Sequence, residues 1–96
     1  MSSTVVVEKL MALTTQEFND TIARIDGMTM SGAGMWSARL ADGDVAVTFE
    51  SKANARLGGL LEVSRALVTL TFESASEEER AGFLKRFDFA FQRGGG

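Results

Sequence analysis

The spacing of apolar residues along this chain changes period three times, from two to about 3.6, back to two, and again to 3.6. The first segment opens with Val5, Val6 and Val7. Three β-branched residues in a row disfavour a helix, and they predict a strand over Thr4 to Leu10 that Met11 to Leu13 can extend. Phe18, Ile22 and Ile25 then follow at i, i+4 and i+7, one stripe on a helix. Its start is marked twice. Thr14 and Glu17 have the spacing of a capping box, and Leu13 and Phe18 that of a hydrophobic staple. Gly27 suits a left-handed stop, which predicts a helix over Thr15–Asp26.

The middle of the chain returns to period two. Asp42-Gly43 is a preferred pair for a type I′ hairpin turn. A two-residue turn there pairs Ala41 with Asp44, Leu40 with Val45, Ala38 with Val47 and Trp36 with Phe49. The large apolar residues then share one face, and Ser37, Arg39, Thr48 and Glu50 share the other. The same parity runs back through Met30 and Met28, with Gly32 and Gly34 between. Either one long strand bends at the glycines, or 28–34 is a loop. Leu57 to Phe72 is open between a second hairpin turning at Ser64-Arg65 and a short helix through Leu57, Leu60, Leu61 and Ser64. Both readings keep Val68 to Phe72 as a strand, because Val68, Leu70 and Phe72 alternate with Thr69, Thr71 and Glu73.

The last segment is helical. Ser76 and Glu79 form a second capping box, and Glu77, Glu78 and Glu79 suit the positive end of the helix dipole. Phe83, Leu84, Phe87, Ala90 and Phe91 make the apolar stripe of a helix over Glu77–Gln92, with Gly94 as its cap. The element order is thus β-α-β-β-β-β-α. It predicts a single α+β domain over 1–96, with one antiparallel sheet of about 4–5 strands and two helices on one face, and flexible ends at 1–3 and 94–96. In element order alone it resembles TATA-binding-protein-like and helix-grip folds, a likeness that leaves function open.

Composition narrows the chemistry more than the fold. Among 96 residues there is no His, no Cys and no Tyr. That removes the commonest metal ligand, the thiolate nucleophile and the usual acid–base group of neutral pH. Few groups are left to titrate between about pH 6 and about pH 8. The net charge of −3 argues against a surface built to neutralise phosphates, hence against nucleic acid as a partner. No apolar run has the length of a membrane span, and the N-terminus lacks the pattern of a secretory leader, so a cytoplasmic location is expected.

Four groups of residues carry candidate chemistry. Lys52 and Arg56 beside Gly58-Gly59 could cradle an anion, although the spacing is not that of a P-loop and an ordinary polar loop between strands accounts for it. Met28, Met30, Trp36 and Phe49 could line an apolar pocket, but their parity places them in the core first. Glu77, Glu78 and Glu79 fan out by 100° each on a helix and cannot converge on one metal ion. The fourth group is a stripe on the final helix away from its core face. Gly82, Arg86, Phe89 and Arg93 recur at i, i+4, i+7 and i+11. A helical Gly costs ~1 kcal/mol relative to Ala, and an aromatic flanked by arginines is the composition of an interface centre.

The sequence therefore predicts a small non-enzymatic interaction module, binding a protein or a second copy of itself through Gly82, Arg86, Phe89 and Arg93. It needs no metal and no cofactor. The alternative is a small-molecule binding domain with an apolar pocket around Trp36 and Met30.

Overall fold

The structure, a computed structural model, describes residues 3–57 and 61–94, without the side chains of 53–57, 61–63 and 93–94. Of the ends expected to be flexible, 1–3 and 94–96, residues 1–2 and 95–96 lie outside the described residues. The elements are β1 (Thr4–Met11), α1 (Thr15–Ile22), β2 (Thr29–Gly32), β3 (Met35–Arg39), β4 (Asp44–Leu57), β5 (Leu61–Glu73) and α2 (Glu77–Gly94). They build one antiparallel five-stranded sheet in the order β1-β5-β4-β3-β2. The predicted β-α-β-β-β-β-α order and α+β class hold.

Side chains alternate across the sheet as the pleat requires. Trp36, Ala38, Val45, Val47, Val68, Leu70 and Phe72 face the helices and are buried. The opposite face carries no helix, the arrangement open to an antiparallel sheet. Six phenylalanine rings run through the buried layer in one chain. Phe49 of β4 meets Phe18 of α1 at 4.7 Å between centroids, and Phe18 meets Phe91 of α2 at 5.7 Å. Phe91, Phe87 and Phe83 then follow along α2 at 4.5 and 6.4 Å, and Phe83 meets Phe72 of β5 edge-on at 5.9 Å.

Both capping boxes form. Thr14 Oγ1 accepts from the Glu17 N–H while Glu17 accepts from the Thr14 N–H. Ser76 and Glu79 exchange the same two bonds at the start of α2. α1 is shorter than predicted. After Ile22 the chain tightens to i→i+3 bonds, from Arg24 N–H to Thr21 O and from Ile25 N–H to Ile22 O. This keeps Ile25 buried and brings the chain to Gly27, whose φ of +85° lies in the left-handed region.

The first hairpin departs from its predicted register by two residues. Ala38 pairs with Val45, Trp36 with Val47 and Arg39 with Asp44. The Leu40 N–H donates to Gly43 O at 2.7 Å, so Ala41 and Asp42 form the tip in place of Asp42-Gly43. Tertiary contacts overrode the local turn preference. A Cβ on Gly43 would collide with the Glu73 carbonyl oxygen and lie 2.7 Å from the Ala75 nitrogen, so glycine serves close approach here. The Asp42 N–H is also bound by Glu79 Oε2 at 3.0 Å. A two-residue shift preserves every face assignment, and Trp36 and Phe49 both remain on the helix side. Residues 28–34, left open between a bent strand and a loop, supply instead a separate edge strand. β2 pairs with β3 through a bulge between Met30 and Gly32 and a turn at Ala33-Gly34.

Both readings of 57–72 are corrected. β5 runs unbroken through Ser64 and Arg65, and pairing with β4 continues from Asp44↔Glu73 to Leu57↔Leu61. The connection between the two strands, 58–60, lies outside the described residues. The polar loop expected around Lys52 is strand as far as Leu57. β1 pairs with β5 only as far as Ala66, and β3 with β4 only as far as Thr48. Beyond those points, among the described residues, β4 and β5 pair with each other alone as a two-stranded arm.

Glu79 thus serves two jobs, closing the α2 cap and holding the β3–β4 turn. Its carboxylate accepts from the Asp42 and Ser76 amides, and these bonds hold its pKa below the ordinary 4.5. A lowered native pKa stabilises the fold above the unfolded value, and that stabilisation is lost as pH falls through the native one. Glu79→Gln is expected to lower the melting temperature at neutral pH. The gap between variant and native protein should narrow in thermal melts taken from about pH 5 to about pH 3. A gap that stays constant with pH contradicts this role.

Candidate interaction surface

α2 lies over β1 and β5, and its buried stripe is Phe83, Phe87 and Phe91, with Leu84 and Ala90 half-buried. Burial of that stripe points the other side of the helix outward. Glu78, Gly82, Arg86 and Phe89 are exposed there. At 100° per residue, positions 78, 89, 82, 93 and 86 fall within an arc of about 80°, with Gly82 at its centre. The side chain of Arg93 lies outside the described residues, and its backbone ends the stripe inside α2.

Phe89 is the seventh phenylalanine, the one outside the buried chain of rings, and it is 58% exposed. With Arg86 and Ala90 it forms one wall of a shallow groove of about 220 Å³. Arg24, Ile25 and Asp26, just after α1, form the other wall. The sequence pattern missed this second wall, because the i→i+3 tightening that brings 24–26 there has no signature in the apolar periodicity. The Arg86 guanidinium carbon lies 5.6 Å from the centre of the Phe83 ring, a cation–π contact that leans it over the core stripe. A Cβ on Gly82 would meet nothing within 4 Å. No close approach among the described residues explains this glycine.

The charges along α2 are divided. Glu77, Glu78 and Glu79 occupy its first turn, Lys85 and Arg86 its middle and Arg93 its last turn. Two residues break the division, and both are tied back into the fold. Arg80 Nη1 donates to Ala75 O at 2.8 Å, and Asp88 pairs with Lys9 of β1 at 3.2 Å.

The other candidate residues lie away from this groove, and Met30 stands opposite Trp36 in the β2–β3 register. Trp36 is buried and its Nε1–H donates to Asn19 Oδ1 at 3.3 Å, while Phe49 packs on Phe18. Met28 is half-buried against the core, and Met30 is 51% exposed at the β2 edge. The groove described above is lined by none of these four. Lys52 pairs with Glu50 at 2.9 Å on β4, and the Arg56 side chain lies outside the described residues. Among the described residues no cluster of three or more acidic groups could hold a metal ion, and no helix is long and apolar enough to cross a membrane.

The helix-free sheet face is the other exposed surface. Its middle rows are small and polar, with Thr71, Ala46, Ser37 and Thr29 in one and Thr69 and Thr48 in the next. Among the described residues its large exposed apolar side chains are Val6 and Leu10 on β1 and Met35 on β3, with two strands between. Scattered apolar residues of this kind are ordinary on a solvated sheet. Comparison with protein-family models, curated proteins and solved structures finds no match to this chain.

The two aromatics on opposite sides of α2 should behave differently. Phe87→Ala is expected to cost ~3–5 kcal/mol, since it opens a cavity in the middle of the ring chain. Phe89→Ala should stay within about 0.5 kcal/mol, as for other surface positions. Equal losses in denaturant melts contradict the assignment of faces.

Proposed function

We propose that this domain is a non-enzymatic interaction module whose contact surface is the outer face of α2 together with the end of α1. The observation that carries this is Phe89, a large aromatic 58% exposed on a stripe with Arg86 and beside the groove formed with Ile25. Burial of an aromatic anchor flanked by arginines dominates many protein interfaces, because the ring gives large apolar area with few rotamers to freeze. Gly82 supports the same surface, since its cost within the helix is offset if another backbone or ring lies against it. The non-enzymatic part of the proposal is supported by the residue types. The chain has no His, Cys or Tyr, and Glu17 and Glu79 are engaged in helix caps.

Replacing Phe89 with the photo-crosslinking analogue benzoylphenylalanine tests this in cells. Irradiation is expected to yield a covalent protein adduct from position 89 and none from position 6 on the opposite sheet face. Absence of an adduct from position 89, with one formed from position 6, overturns the proposal.

A further inference from the structure

Resting on that contact surface, we infer that its partner is an acidic protein segment, which docks an apolar side chain in the groove between the end of α1 and α2 and sets carboxylates against Arg24 and Arg86. The lining sets this chemistry. Ile25, Phe89 and Ala90 make the apolar part of the groove, and Arg24 and Arg86 stand on its opposite walls. Its volume of about 220 Å³ is below the ~300–1,000 Å³ of sites that enclose a free small molecule. A space of that size suits single side chains carried by a larger partner.

The charges select the sign of the partner. Arg24, Lys85 and Arg86 are exposed, and among the described residues none of them forms an ion pair. Asp26 is the one acid among the described residues that line the groove. Asp88 is committed to Lys9 at 3.2 Å. Glu78 lies about 12 Å before Arg86 along the helix, beyond the ~10 Å reach of an exposed charge at 0.1 M salt. The groove is therefore locally positive on a chain whose net charge is −3. Like charges on facing walls focus the potential between them and draw an anion there. The net charge of −3 repels extended polyanions, which favours a short acidic stretch of protein over nucleic acid or an anionic lipid surface.

Arginine suits the task, because a guanidinium can grip a carboxylate through two parallel N–H···O bonds. The guanidinium carbon of Arg86 lies 5.6 Å from the centre of the Phe83 ring, so the group is held in place before a partner arrives. An apolar residue with acids beside it then meets the ring of Phe89 and both guanidinium groups at once.

Amide spectra of the ¹⁵N-labelled chain, titrated with a short end-blocked peptide that carries one leucine between runs of aspartate, test the inference. Saturable shifts are expected at 24–26 and 82–90, and binding should weaken as salt rises from about 0.02 M to about 0.2 M. Alanine in place of the leucine should weaken binding about tenfold, and lysines in place of the aspartates should abolish it. These exchanges need only the native chain. Arg24→Glu and Arg86→Glu should each weaken binding about tenfold, and the double variant should bind the lysine peptide in place of the aspartate one. Thermal melts of each variant confirm that its fold is kept. An alanine peptide as effective as the leucine one, binding indifferent to both charge reversals, or no shift at millimolar peptide overturns the inference. Shifts of the same amides on concentrating the chain alone would make a second copy the occupant, and overturn it too. If position 89 still forms its adduct in cells, in the same yield, when Arg24 and Arg86 are both reversed, the contact surface stands and the acidic partner does not.

Discussion

Six phenylalanine rings in one continuous chain hold this fold together. They pass from β4 through α1 and along α2 to β5, so each helix is fixed to the sheet and to the other helix by the same set of contacts. Aromatic pairs at these separations contribute about 0.5–1.5 kcal/mol each beyond the area they bury. Without disulfides, a 96-residue chain depends on such a core. The rotation of α2 about its axis follows directly. With Phe83, Phe87 and Phe91 committed inward, Gly82, Arg86 and Phe89 fall on the exposed side of the helix.

Glu79 fixes the remaining degree of freedom, the position of α2 along the sheet. Its two carboxylate oxygens hold the Ser76 and Asp42 amides, so the helix start and the β3–β4 turn are set by one side chain. Gly43 makes room for that approach, because any Cβ would strike the end of β5. The Lys9–Asp88 pair adds a lateral contact from β1, worth at most about 1 kcal/mol at this exposure. The orientation of the outer stripe is thus a consequence of buried rings and one bridging carboxylate.

Much of this was legible in the sequence where local chemistry and periodicity agreed. The capping boxes at Thr14/Glu17 and Ser76/Glu79, and the i, i+4, i+7 stripes after them, placed both helices and their buried faces. The alternation of Trp36, Ala38, Val45 and Val47 placed the core face of the sheet even though the turn was two residues off, since a shift of two leaves parity unchanged. What was not legible depended on contacts distant in sequence. The Asp42-Gly43 pair lost to Glu79 and the end of β5, both more than 25 residues away. The arm of β4 and β5 was missed because Lys52 to Ser64 alternates poorly and no turn residue marked the reversal except the Gly58-Gly59 pair, which was read as part of a loop. For the candidate site, Gly82, Arg86 and Phe89 could be read from a helical wheel, while Arg24, Ile25 and Asp26 could not, since they reach the groove through non-helical turns.

The account rests on the claim that the domain meets its partner with the outer face of α2 and leaves the helix-free face of the sheet in solvent. Amide spectra of the ¹⁵N-labelled chain inside cells, compared with those of the purified chain, test it residue by residue. Differences confined to 78–93 and 24–26, with Val6, Leu10, Met35 and Thr71 unmoved, are what the account predicts. Shifts centred on Val6, Leu10 and Met35, with Gly82 and Phe89 unmoved, would contradict it.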